Sequence, residues 1–107
     1  MNLGDLFKQA KDMQAKAADM QKAVERIEVE GQSGGGMVKL ALSGKSDLKR
    51  LEVDPSLLKS EDKTMLEDLI MAAHADAKAK LERALAEEMQ RMSSELGLPA
   101  GMGGLFG

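Results

Sequence analysis

From Leu3 onward the apolar residues Leu6, Ala10, Met13, Ala17, Met20, Val24 and Ile27 follow one another at alternating steps of three and four. That alternation marks a narrow seam of the coiled-coil kind, which predicts a helix that lies lengthwise against another helix. Small Ala10 and Ala17 alternate with flexible Met13 and Met20, so the seam allows close approach at one level and adaptable filling at the next. A second run, Leu66, Leu69, Ile70, Ala73, Ala77, Leu81, Ala84, Leu85, Met89, Met92 and Leu96, also recurs at helical spacing. Ser60 is the candidate cap of this second helix, with Glu61 and Asp62 at its positive end. Gly97 and Pro99 supply a stop signal. Between the two runs the period changes to two. Val38, Leu40 and Leu42 alternate with Met37, Lys39, Ala41 and Ser43, and Leu51 and Val53 alternate with Arg50 and Glu52 up to Asp54-Pro55. These read as two strands of a hairpin around Gly44. A shorter strand over residues 27–30 leads out of the first helix, with Gln32-Ser33-Gly34-Gly35-Gly36 as the connection.

The pattern predicts an α+β fold in the order α-β-β-β-α: a long helix, a three-stranded antiparallel sheet and a second long helix. It forms one domain over residues 1–96, followed by a flexible tail rich in glycine and methionine over 97–107. Length adds a constraint. A helix from Glu61 to Leu96 would run roughly 54 Å, whereas a compact chain of this size is only about 35 Å across. The helix therefore overhangs its own domain, and a second copy is the simplest cover for the apolar surface left over. An elongated homodimer with projecting helical pairs is expected.

Composition removes most chemistries. The chain of 107 residues has no Cys, Trp or Tyr, two Phe and a single His. Disulfides, thiolate catalysis, Cys-ligated zinc and two-histidine metal sites are therefore excluded. A platform of stacked rings for single-stranded nucleic acid is excluded as well. Gly44-Lys45-Ser46 has the letters that end a phosphate-binding loop, but the partner glycine is replaced by Lys39 and strand residues follow where a helix is required. It reads as a hairpin turn. His74 has no nucleophile or orienting carboxylate to work with and reads as an exposed or boundary helix residue. Adjacent Glu67-Asp68 and Glu87-Glu88 diverge around a helix and lack Ca²⁺-loop spacing. Pairs such as Asp76 with Lys80 and Glu87 with Arg91 read as solvated helix faces. No catalytic residue, metal site, cofactor or small-molecule substrate is indicated. No signal segment or spanning helix is expected either, which makes the cytoplasm the default location.

Net charge is -3 and the pI about 5.2, which argues against a uniformly basic nucleic-acid surface. The average hides a contrast. Residues 31–53 carry Lys39, Lys45, Lys49 and Arg50 against Asp47 and Glu52, whereas residues 54–107 carry 6 bases against 10 acids.

Several segments are similar to the YbaB/EbfC family of bacterial nucleoid-associated proteins. They are Gly34-Gly35-Gly36-Met37-Val38, the Gly44 hairpin, Leu51-Glu52-Val53-Asp54-Pro55-Ser56-Leu57-Leu58, Met65-Leu66-Glu67-Asp68-Leu69-Ile70 and the Ala72–Ala77 stretch, where His74 replaces the asparagine expected of the family. The resemblance implies a tweezer-like homodimer that binds duplex DNA in the nucleoid and influences its organisation or gene expression. It transfers no single residue as a DNA contact. Geometry offers two candidate sets: Lys8, Lys11 and Lys16 with Arg83 and Arg91 toward the tips of the helical prongs, and Lys39, Lys45, Lys49 and Arg50 around the sheet. Contacts would be mainly to the backbone. The alternative is a non-enzymatic coiled-coil adaptor that grips a protein partner in replication or repair, because methionine-rich seams and an acidic helix also suit protein surfaces.

Overall fold

The computed structural model of the chain describes residues 2–95. Helix α1 spans Leu3–Arg26 and opens under Asn2, whose side chain accepts the Asp5 amide at 2.9 Å. At Ile27 the backbone turns extended and the chain enters β1, Glu28–Ser33. This strand is longer than residues 27–30, because Gln32 and Ser33 continue the pairing, opposite Lys39 and Val38, instead of forming a connection. Only Gly34–Gly36 turn the chain, as a 3-10 turn with φ of 59, 65 and 93°, a region open mainly to glycine. Strands β2, Val38–Ser43, and β3, Leu48–Val53, complete an antiparallel sheet of order β1-β2-β3. A bulge where Ala41 faces Arg50 and Leu42 faces Leu48 leaves Lys49 as the extra residue.

The β2–β3 turn is closed by Ser43, whose hydroxyl accepts the amides of Lys45 and Asp47. Its left-handed residue is Ser46, at φ 69°. Gly44 is required for a different reason: a Cβ there would fall on the Val24 carbonyl oxygen at the end of α1. After β3, Asp54 accepts the Ser56 amide at 2.8 Å and opens the 3-10 turn Pro55–Leu57, which buries Leu57. That hydrogen bond holds the Asp54 carboxyl below the usual carboxylate range. Helix α2 runs Lys63–Glu95. Ser60 does not cap it. It begins a separate 3-10 turn, Ser60–Asp62, which has no side-chain cap and leads into the helix. Leu96 and the predicted tail lie outside the described residues.

The core forms where α2 crosses β1 and β2. Ala73 and Ala77 are fully buried and lie directly over Gly31, where a Cβ would meet the Ala73 carbonyl oxygen and Ala77. Small residues on the helix and none on the strand let the two backbones touch. Val38, Leu40, Leu42, Leu57 and Leu81 fill the rest.

Among the exposed apolar residues outside this core are those of β3 and of α1. Leu48 and Leu51 stand opposite Leu42 and Leu40, on the core face of the sheet, yet are 56% and 45% exposed because α2 stops short of β3. Helix α1 has no buried side chain at all. The lengthwise packing predicted from its seam is therefore not made within one chain. Only its second half meets α2, with the Lys16 ammonium 3.5 Å from the Glu95 carbonyl oxygen. The result is an elongated body of 71 × 25 × 16 Å, as the helix lengths predict.

Candidate nucleic-acid interface

At about 100° per residue, Lys8, Lys11 and Lys22 fall within about 60° of one another on α1, on the side opposite the seam. All three are exposed, and none makes an ion pair among the described residues. Arg26 continues the row toward the sheet and is also exposed. The row ends in a cleft of about 250 Å³ between the second half of α1 and the end of α2, lined by Lys16, Lys22, Arg26 and Arg91 against Asp19 and Glu95. Its lining thus holds four cations against two carboxylates.

Within it the charges are not equivalent. Arg91 forks between Glu88 at 2.8 Å and Glu95 at 2.6 Å, a geometry that holds its guanidinium still more firmly protonated and satisfies it locally. These partners stand one helical turn before and one turn after it, and the expected Glu87 is not among them. Lys16 shares the cleft with Arg91, as predicted. Lys8 and Arg83 are not brought together. Antiparallel packing sets Lys16 beside Glu95, so Lys8 lies about 12 Å outward along α1 and Arg83 about 18 Å inward along α2. Arg83 instead adds to the field that favours the ionised form of Asp76.

The second candidate set loses its basic character once the strands pair. Lys39 and Arg50 lie on the open face of the sheet, and β1 brings Glu28 and Glu30 onto that same face beside Glu52. Arg50 reaches Glu28 at 3.6 Å, and Lys45 reaches Glu25 at the same distance. A count along residues 31–53 could not see this, because Glu28 and Glu30 lie just upstream of the window. Lys49 is the exposed bulge residue. Lys22 and Arg26 are the functional candidates that sequence reasoning missed. The signal was available: Lys22 stands two heptads after Lys8, at the same position relative to the seam.

His74 is exposed on α2. Among the described residues no cluster of His, Cys, Asp and Glu could hold a metal ion, and no helix is long and apolar enough to cross a membrane.

Residues 1–96 match the model of the YbaB/EbfC DNA-binding family. The chain belongs to that family. Relatives of the same family include a nucleoid-associated protein of Granulibacter bethesdensis, 54% identical over 101 residues with 94% of each chain covered. A second, from Methylocella silvestris, is 53% identical over 97 residues with 91% of each chain covered. Among solved structures, an uncharacterized protein from Helicobacter pylori superposes with a TM-score of 0.67 at 25% identity, covering 90% of this chain and 97% of that one. The helix-sheet-helix fold seen here is thus shared with that solved structure.

Proposed function

We propose that the chain is a nucleoid-associated protein that binds duplex DNA as a homodimer, through phosphate contacts and with little reading of base sequence. Family membership supports DNA as the partner. The observation that carries the mechanism is the exposed Lys8, Lys11 and Lys22 row, which has no carboxylate partner among the described residues and runs into the cationic cleft. Separated lysines on a rigid helix neutralise phosphates along a groove edge but cannot read bases as a bidentate arginine does. With no Trp or Tyr, no aromatic platform supplements them.

Dimerisation is assigned to the open part of the sheet. Leu48 and Leu51 extend the core face beyond the reach of α2, and β3 has a free edge, so a second copy completes what one chain leaves uncovered. Two copies bring two lysine rows to one duplex, and binding rests on these local rows because the net charge stays acidic at twice -3. The location that follows is the nucleoid, within the cytoplasm, and no catalytic step is involved.

A salt titration of duplex binding tests the mechanism. Log affinity should fall linearly with log salt at a slope near -0.9 per phosphate contacted, about -5 if both rows engage. Absence of binding at low salt, or binding indifferent to salt, would exclude it.

A further inference from the structure

We propose that the free end of α1, residues 3–13, is a second self-association site, separate from the β3 face, where two molecules join tip to tip through an antiparallel helix pair. Since Lys16 sits beside Glu95, the described part of α2 ends there and α1 projects past it for more than three turns. That projection carries Leu3 at 72% exposure, Leu6 at 47%, Phe7 at 68% and Met13 at 66%. Four large apolar side chains exposed together at one end of a helix form a patch of the kind that marks an interaction surface.

Charge placement favours another copy of the same helix. Every charged residue from Asn2 to Gln14, namely Asp5, Lys8, Lys11 and Asp12, lies away from the seam, and its flanks are Asn2, Phe7, Gln9 and Gln14. In an antiparallel pair Leu3 stands opposite Met13 and Leu6 opposite Ala10, so each layer combines a larger side chain with a smaller or more adaptable one. The same register sets Phe7 against Phe7 and Gln9 against Gln9 of the second molecule, across the two-fold axis. No like charges meet. The overlap stops at Met13 because α2 and the cleft occupy the next turns, and a parallel pair would force those bodies together. Lys8 and Lys11 remain on the outer side, so a joined pair of tips still presents its cationic rows to DNA.

Sedimentation velocity of the full chain, from micromolar to near-millimolar concentration, tests the site. The wild type should double in mass as concentration rises. Leu6→Glu/Met13→Glu should stay at the lower mass, with the dissociation constant of this step raised at least about tenfold. The variant keeps its fold because α1 buries no side chain, glutamate is a good helix former, and residue 6 lies near the positive end of the helix; circular dichroism verifies this. In this chain without cysteine, copies of Gln9→Cys should be joined by a short bis-maleimide, while Lys22→Cys on the opposite side of α1 should not. The proposal fails if the wild type never doubles, if the glutamate variant doubles equally, or if both cysteine variants cross-link alike. A Leu48→Glu/Leu51→Glu background separates the two sites: it should start from half the mass and still double through the tips.

Discussion

The carboxylate of Asp76 accepts the backbone N–H of Gln32 at 3.0 Å, tying the middle of α2 to the outer edge of β1. Lys80, paired with Asp76 at 3.1 Å, donates to the Glu30 carbonyl at 2.9 Å, so one ion pair serves an N–H and a C=O of that edge. An exposed edge is a template for another strand. Here an N–H and a C=O of the β1 edge are taken up by side chains of α2, which makes that edge a poorer template than the edge of β3.

This pairing has a pH signature. The Gln32 hydrogen bond first, then Lys80, holds the Asp76 carboxyl below its ordinary value of 3.8. A carboxylate lowered in the folded state contributes stability above its unfolded pKa and loses it as pH falls through the folded one. Urea unfolding should therefore show stability decreasing below about pH 4, and Asp76→Asn should be less stable than wild type at neutral pH with a shallower acid limb. Asp54, lowered by its Ser56 hydrogen bond, contributes in the same direction.

Close approach at Gly31 makes a sharp mutational contrast. Gly31→Val drives side-chain atoms into the Ala73 backbone and should cost about 3 kcal/mol by overpacking. Gly35→Ala meets nothing within 4 Å but retains a φ of 65°, so its cost should be about 1 kcal/mol from backbone strain. Chemical denaturation of both variants measures the difference.

For DNA binding, Lys8→Ala/Lys11→Ala/Lys22→Ala should flatten the salt slope by about 0.9 for every phosphate that is no longer neutralised. Arg91→Ala should leave the slope nearly unchanged, since Glu88 and Glu95 already hold that guanidinium. Fluorescence anisotropy across a salt series reads both. Arg50→Ala, on a sheet face shared with Glu28, Glu30 and Glu52, should behave like Arg91→Ala.

At the open sheet face, Leu48→Glu should halve the mass of the dilute species without unfolding it, because the side chain is more than half exposed in one chain. Thermal unfolding of the wild type should depend on concentration, and that of the variant much less.

The order of elements was legible because period-two and period-3.6 patterns do not overlap in this chain, and glycines separate them. The ends of β1 were not. Gln32 and Ser33 carry no apolar signal, and they are strand only because Lys39 and Val38 lie opposite. Ser60 had the chemistry of a cap, but a 3-10 turn intervenes before α2. The cationic sites divided along the same line. Lys8 and Lys11 needed only the helical period, whereas the loss of the sheet's basic character depended on which strand became the neighbour of β2. The apolar seam of α1 was legible, but not that the chain itself leaves it uncovered.

A helix without one buried side chain is also a helix whose sequence the protein's own core does not constrain. Substitutions along α1 pass through folding with little penalty and are felt only in what the helix touches outside the chain. Tolerance to substitution should therefore be greatest at the exposed positions of α1 and least at Gly31, Ala73 and Ala77, where the helix and strand backbones touch.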